Sequence, residues 1–287
     1  MFPKISIITP NLNGSRHLET TILSVIDQKY PNLEYIVIDG GSTDGSLGII
    51  EKYSAFITHW ESEPDNGLYH AIQKGFEKST GEIMGWVNSD DILCLNSLFS
   101  IAEIFSVNPA IKWIQGYPTV IDNQNRIVYQ RPPVFSKLNF YLKDYKDGRF
   151  IQQESTFWTR TLWELAGGFI SQDYRYADDF ELWIRFFNFS KLFLTSAILG
   201  SFRMRNDGQL SVLNYQNYLD ECDQIIDRNF QFLSEQEMAD LKRIERLRAL
   251  KKILSPNSEF PGYQYFMSKL IPPPDYVNFD FHNYRFQ

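Results

Sequence analysis

Short apolar runs recur along the N-terminal third of the chain, and between them apolar residues return at helical spacing. Ile5-Ser6-Ile7-Ile8 reads as a buried strand ending at Pro10, and Leu18, Ile22, Val25 and Ile26 then mark one face of a helix. Tyr35-Ile36-Val37-Ile38 predicts a second strand, stopped by Asp39-Gly40-Gly41. A helix with Leu47 and Ile50, a strand over Phe56 to Trp60, a helix with Ala71, Ile72 and Phe76, and a strand over Ile83 to Val87 follow. Alternation at this rhythm predicts βαβ units and a doubly wound, mostly parallel sheet.

Beyond Asp91 the pattern loosens. Thr119 to Gln130 predicts a hairpin turning at Asn123-Gln124-Asn125, and Pro132 to Gly148 has no period and reads as a lid. Ser155-Thr156-Phe157-Trp158 restores a strand, a helix starts at Thr161 and stops at Gly167-Gly168, and another runs from about Asp178 to Phe189. A strand is expected from Leu192 to about Met204. Tyr215 to Leu254 turns helical and charged, and the tail around Pro272-Pro273-Pro274 yields no assignment. The expected division is an α/β domain over residues 1–212 and a helical extension with an aromatic tail over 213–287.

Length and composition agree with this reading. A chain of 287 residues fits one large domain plus an appendage, and 43% hydrophobic with 22% charged residues is ordinary for a protein with a buried core. The net charge of -7 argues against a general nucleic-acid binder, which needs a basic face. Cys94 and Cys222 stand far apart, as two free thiols in a reducing compartment would. MFPKISIITP lacks a signal peptide's apolar core, and no run of about 18 apolar residues occurs. A cytoplasmic protein is expected.

In a doubly wound sheet the ligand sits outside the carboxyl ends of the strands. Those ends carry Thr9 to Gly14, Asp39 to Gly45, Glu61 to Gly67, and Asn88 to Asp91, all polar, Gly-rich or acidic. A nucleoside diphosphate needs glycines for close backbone approach and carboxylates for ribose, base or metal. Asp90 and Asp91 can supply a metal ligand and a ribose or water contact; equally, they can cap a helix. In Tyr176-Ala177-Asp178-Asp179-Phe180-Glu181, one acid can deprotonate an incoming hydroxyl. Capping again competes, with Asp178 as the natural cap.

Six segments, ISIITPNLNG, VIDGGSTDGS, EPDNGLYHAIQKG, GEIMGWVNSDD, IQQESTFW and YADDFELWIR, lie in one order between residues 5 and 185. In this the chain resembles the inverting family 2 glycosyltransferases of GT-A fold that assemble bacterial surface polysaccharides. The resemblance implies a Rossmann-like α/β catalytic domain with a C-terminal helical extension, and transfer of a sugar from a nucleotide-diphosphate donor to a glycan or lipid-linked hydroxyl acceptor. It places Pro10, Asn11, Asn13 and Asp39 at the nucleotide, and Asp65, Gly67 and Lys74 at the border of the donor. Asp90 and Asp91 fall at the metal-and-ribose acidic motif, with Mn²⁺ or Mg²⁺ as cofactor, Gln153 near the donor or acceptor sugar, and Asp179 at the general base. Asn88 replaces a first acid, His70 stands where Asp is common, and Arg205 stands where many relatives carry a metal-binding His. Arg205 can instead face the diphosphate itself, since guanidinium suits phosphate forks.

The competing readings are weaker. A Rossmann dehydrogenase needs G-x-G-x-x-G after the first strand and a P-loop enzyme needs G-x-x-x-x-G-K-[ST]; neither occurs. A sugar nucleotidyltransferase wants a Gly- and Arg-rich first loop, and a binding relative without catalysis would have no use for both acidic motifs. In the extension, Leu241, Ile244, Leu247, Leu250 and Leu254 form a stripe among Lys242, Arg243, Arg246, Arg248, Lys251 and Lys252. Two readings stand: peripheral contact with the inner face of an anionic membrane, or packing against the catalytic domain or a second copy.

Overall fold

The computed structural model describes residues 2–133, 136–205, 209, 213–255, 262–283 and 285–287. β1 (Ile5–Asn11), α1 (Ser15–Ile26), β2 (Leu33–Asp39), α2 (Ser46–Lys52), β3 (His59–Ser62), α3 (Leu68–Lys78) and β4 (Ile83–Trp86) alternate as the apolar rhythm predicts. β1 lies parallel between β2 and β4, and β2 pairs in parallel with β3. Ile5, Ile7, Ile8 and Val37 are wholly buried, because helices cover both faces of the sheet.

The chain continues through β5 (Ile92–Leu93), α4 (Ser97–Val107), β6 (Trp113–Gln115), β7 (Thr119–Ile121), β8 (Ile127–Gln130) and α5 (Lys137–Tyr141). Then come β9 (Thr156–Thr159), α6 (Arg160–Leu165), α7 (Asp178–Phe187), β10 (Phe193–Thr195) and β11 (Gly200–Arg203). Helices α8 (Tyr215–Asn229), α9 (Glu235–Leu254) and α10 (Tyr263–Leu270) precede β12 (Asp275–Val277), β13 (Phe279–Asp280) and β14 (Arg285–Phe286). The main sheet runs β12-β10-β6-β9-β4-β1-β2-β3, with β9 antiparallel to both neighbours. A smaller sheet, β5-β11-β7-β8, carries the expected hairpin.

Tryptophans fill the layer under α7. Trp86 stacks on Trp183 at 5.9 Å, Trp183 on Trp113 at 5.9 Å, and Trp158 meets Trp86 edge-on at 5.6 Å. All four are buried, and truncating one such ring to alanine costs about 3–5 kcal/mol, so the helix bearing Asp179 is held stiffly.

Three segments depart from the sequence reading. Phe56 ends a short 3-10 turn and is 65% exposed, so Ile57 alone of that run is buried, Trp60 packs at the core's edge, and the strand begins at His59. The expected strand from Leu192 to Met204 breaks into β10 and β11, which belong to different sheets. Gly200 makes the crossing feasible, since a Cβ there would collide with the Glu154 carbonyl. The expected lid packs inward: α5 starts at a Ser136–Asn139 capping box, and Phe140, Tyr141 and Tyr145 are buried. Two adjacent aromatic anchors and a third four residues on leave no period to read.

The expected division after residue 212 falls at 210–212, outside the described residues. Beyond it, α8 buries Leu219, Cys222, Ile225 and Ile226 in the same cluster as Trp183. On α9 the leucine stripe divides. Leu241 and Ile244 are buried, whereas Leu250 and Leu254 are exposed, and Arg248 forks onto Asp144 at 2.7 and 3.1 Å. The unassigned tail places β12 parallel to β10 at the edge of the main sheet.

Candidate active site

The four carboxyl-end loops converge, and glycines are what let them. A Cβ on Gly14 would strike the Asn11 amide oxygen and approach Ser89 Oγ to 2.7 Å, so the first loop lies directly on the fourth. A Cβ on Gly40 would lie 2.8 Å from Asp65 Oδ2, which sets the second loop against the third. Asn13 holds the left-handed conformation at φ 51, a region Asn tolerates.

Asp39, at the end of β2, organises the first two of these loops. Asn11, opposite it in register, donates to its Oδ1 at 2.6 Å, and the hydroxyls of Ser42 and Ser62 donate to it at 2.6 Å each. The backbone N–H groups of Gly41 and Ser42 add two further donors. Burial pushes this carboxyl up, but the bonds from Ser42, Ser62 and Asn11 outweigh it and hold the group below the usual range. Asn13 is fixed by Ser42 Oγ and by the Thr43 N–H it accepts at 2.9 Å. Pro10 is buried in register with Ile38 and closes the strand beneath this loop.

Asp65 accepts the Gly67 N–H at 2.7 Å, in a turn that gives Gly67 a φ of 114. His70 Nδ1 accepts the Asn66 N–H at 3.1 Å, so its contact lies within this loop. Lys74 forms ion pairs with Glu61 and Glu63 at 2.6 Å each and acts on the loop rather than as a free cation.

The acidic motif places its two aspartates differently. Asp91 is fully buried; Arg203 N–H donates to its Oδ1 at 2.8 Å and the Asn88 amide to its Oδ2 at 3.2 Å. Asp90 keeps some exposure and its Oδ2 lies 3.0 Å from Arg205 Nε. Burial drives Asp91 well above the carboxylate range, reinforced by Asp90 and Glu154, and burial raises Asp90 despite Arg205. Glu154, also buried, is pushed up to about 7 by desolvation. Asp90 and Asp91 thus meet two arginines, Arg205 through its side chain and Arg203 through its backbone N–H, and Glu154 lies near enough to raise Asp91 further. Among the described residues no three ligating side chains gather for a metal. Asp90, the less buried carboxylate of the pair, offers oxygen of the kind a hard cation takes. Gln153 donates to the Trp86 carbonyl and accepts the Asn88 amide at 3.3 Å, so it braces the motif.

Asp179 stands in the first turn of α7, half-buried. Its Oδ1 accepts the Phe180 N–H at 2.8 Å and the Tyr69 hydroxyl at 3.2 Å. Tyr69, in the first turn of α3, ties it to the loop of Asp65 and Gly67. Desolvation raises Asp179 to about 6, with the Phe180 and Tyr69 bonds acting against it. Asp178 is fully buried, lacks a well-aligned hydrogen-bond partner, and is pushed up to about 8 by burial, so it is not the helix cap its position suggested.

Sequence reasoning did not single out Arg203, Glu154 or Tyr69, although all three lie inside or beside the motifs. Arg203 donates to the Asp90 and Asp122 carbonyls at 2.6 and 2.7 Å and is wholly buried. A buried arginine reads like any surface arginine until its partners are known. Among the described residues no helix is long and apolar enough to cross a membrane.

The sequence pattern of the family described as Glycosyl transferase family 2 matches residues 6–165, more than half of the chain. An uncharacterized glycosyltransferase of Rickettsia typhi is 24% identical over 243 residues, covering 84% of this chain and 76% of that protein. A putative teichuronic acid biosynthesis glycosyltransferase of Bacillus subtilis, TuaG, is 35% identical over 92 residues, 31% of this chain and 36% of its own. Among solved structures, residues 1–349 of TarS from S. aureus in complex with UDP-GlcNAc superpose with TM-score 0.65 at 16% identity, covering 94% of this chain and 82% of that one. Against another structure of S. aureus TarS the match covers 88% of this chain and 44% of that one. The mannosyltransferase PcManGT from Pyrobaculum calidifontis, in complex with GDP-Man and Mn²⁺, gives TM-score 0.59 at 15% identity, with 94% and 80% covered.

Proposed function

Because this chain belongs to glycosyl transferase family 2, we propose that it moves a sugar from a nucleotide-diphosphate donor to a hydroxyl acceptor with inversion, in bacterial surface-polysaccharide synthesis. The observation that carries this reading is Asp179, a carboxyl raised to about 6 and tied through Tyr69 to the loops of the donor pocket. Asp39, with Pro10, Asn11 and Asn13, borders the nucleoside, and Asp65 and Gly67 shape the donor's edge. As the acceptor oxygen attacks the anomeric carbon, Asp179 takes its proton. The bond to the diphosphate breaks on the opposite face, which inverts the centre. Asp90 would hold Mn²⁺ or Mg²⁺, which neutralises charge on the departing diphosphate, and Arg205 shares that work. The two nucleotide-sugar complexes and the teichuronic acid relative support donor class and product class respectively. The test is a thermal-shift screen of UDP-, GDP- and dTDP-sugars with Mn²⁺. A donor at about 100 times its dissociation constant stabilises by roughly 2.7 kcal/mol, and no response to any of them overturns the reading.

We further propose that the acceptor is carried by lipid at the cytoplasmic face of a membrane. Leu250, Ile253, Leu254 and Phe266 are exposed together with Arg243, Arg246, Lys252 and Lys269. A symmetric contact with a second copy would set these cations against themselves, whereas an anionic bilayer complements them, each adding about 1 kcal/mol near the surface. The protein is expected to co-sediment with anionic vesicles at low salt but not at high salt or with neutral vesicles. A variant with those four cations changed to Gln is expected to stay in solution, and equal sedimentation of both proteins overturns the placement.

A further inference from the structure

The loop that delivers Asp179 is held from the far side by a residue outside every motif. Glu221, on α8, receives three backbone N–H groups in succession. Arg175 donates to its Oε1 at 3.1 Å, and Tyr176 and Ala177 donate to its Oε2 at 2.8 and 2.9 Å. The Tyr176 carbonyl, on the same loop, accepts the Tyr69 hydroxyl at 2.9 Å. Both faces of the loop are therefore fixed, one by α3 and one by α8, immediately before the first turn of α7.

We infer that Glu221 is a positioning residue for the general base, an inference that rests on the assignment of Asp179 above. Successive N–H groups pointing one way form an anion-binding concavity, and a carboxylate fills it better than a hydroxyl or amide. Neither acid at the head of α7 does so: Asp178 has no well-aligned partner, and Asp179 bonds the Phe180 N–H. Ala177, the residue before the helix, has no side chain that could cap it. Without Glu221 three N–H groups lose their acceptor and the loop is free to shift. A misplacement of about 1 Å at a reacting group is worth about a hundredfold in rate.

The clamp also acts through charge. The ionisable groups facing Asp179 are Tyr69 from α3, Tyr218, Glu221 and Cys222 from α8, Glu154 before β9, and Asp178 beside it. Glu221 is the one whose anion also bonds the loop. A neighbouring anion favours the protonated base, so replacing it with a neutral amide moves the acid limb of activity to lower pH.

The experiment compares Glu221→Ala and Glu221→Gln with wild type and Asp179→Asn, by kcat, acceptor KM, donor affinity and the pH dependence of kcat/KM. Glu221→Ala is expected to lower kcat about a hundredfold with donor affinity unchanged. Glu221→Gln keeps one oxygen for the Tyr176 and Ala177 N–H groups, so it folds, loses less kcat, and shows the acid limb displaced downward. A wild-type limb that vanishes in Asp179→Asn tests the base itself. If that limb exists but stays in place in Glu221→Gln, and Glu221→Ala turns over like wild type, the clamp is overturned while the base stands. If Glu221→Ala fails to fold, the limb in Glu221→Gln decides alone.

Discussion

Asp179→Asn is expected to lower turnover by at least about a hundredfold while donor affinity stays at the wild-type level. The amide keeps the shape of the carboxyl and can still accept the Phe180 N–H and the Tyr69 hydroxyl, so the cleft is preserved and only proton acceptance is lost. The proposed donor contacts lie on the loops after β1, β2, β3 and β4, and the amide keeps the Tyr69 link between Asp179 and the third of them. The wild-type pH profile follows from the same geometry. Burial raises Asp179 to about 6, and the base works only when deprotonated, so kcat/KM is full above that value and falls about tenfold per unit below it. Steady-state rates with donor and acceptor from about pH 4.5 to about pH 8 measure both effects. Turnover near wild type in Asp179→Asn refutes the assignment outright.

Much of this site could be read from order along the chain. Strands that alternate with helices and end in Asp39-Gly40-Gly41 or Asn88-Ser89-Asp90-Asp91 declare where a ligand sits, because parallel strands place all such ends on one edge. The glycines read in sequence as room for a ligand, whereas Gly14 and Gly40 stand where two loops touch and a Cβ would collide. Partnership was not legible. Lys74 is ordinary in sequence, yet Glu61 and Glu63 claim it. Asp90 and Asp91 are neighbours in the chain, yet one is sealed by Arg203 and Asn88 and the other meets Arg205. Glu221 lies on an amphipathic helix whose apolar positions, Leu219, Cys222, Ile225 and Ile226, say only that it packs. Contacts that join residues tens of positions apart leave no local period, and the base loop, the Arg203 brace and the split of the α9 stripe are all of that kind.

Removal of the cation is the second large effect, and it separates two sources of positive charge at Asp90. Chelation with EDTA is expected to weaken donor binding about tenfold or more, the range of a lost contact to a charged group at about 1.5–3 kcal/mol. Asp90→Ala is expected to do the same and to abolish any further response to EDTA, because Asp90 is the carboxylate of the pair that is not sealed in the loop. Arg205→Ala is expected to weaken donor binding too, since Arg205 Nε lies 3.0 Å from the same oxygen and its guanidinium suits a diphosphate. The surroundings of Asp90 underlie all three outcomes: it lies in a poorly solvated pocket beside Asp91, where burial raises it and Arg205 acts against that. A bound diphosphate adds further negative charge to that pocket, so a divalent ion arriving with the donor relieves both. Isothermal titration with the donor, with and without EDTA, reads each variant directly. Affinity that ignores EDTA but collapses in Arg205→Ala makes the guanidinium the cation and removes the metal from the mechanism. Affinity that falls in EDTA but is unmoved in Arg205→Ala leaves Arg205 as no more than the ion-pair partner of Asp90.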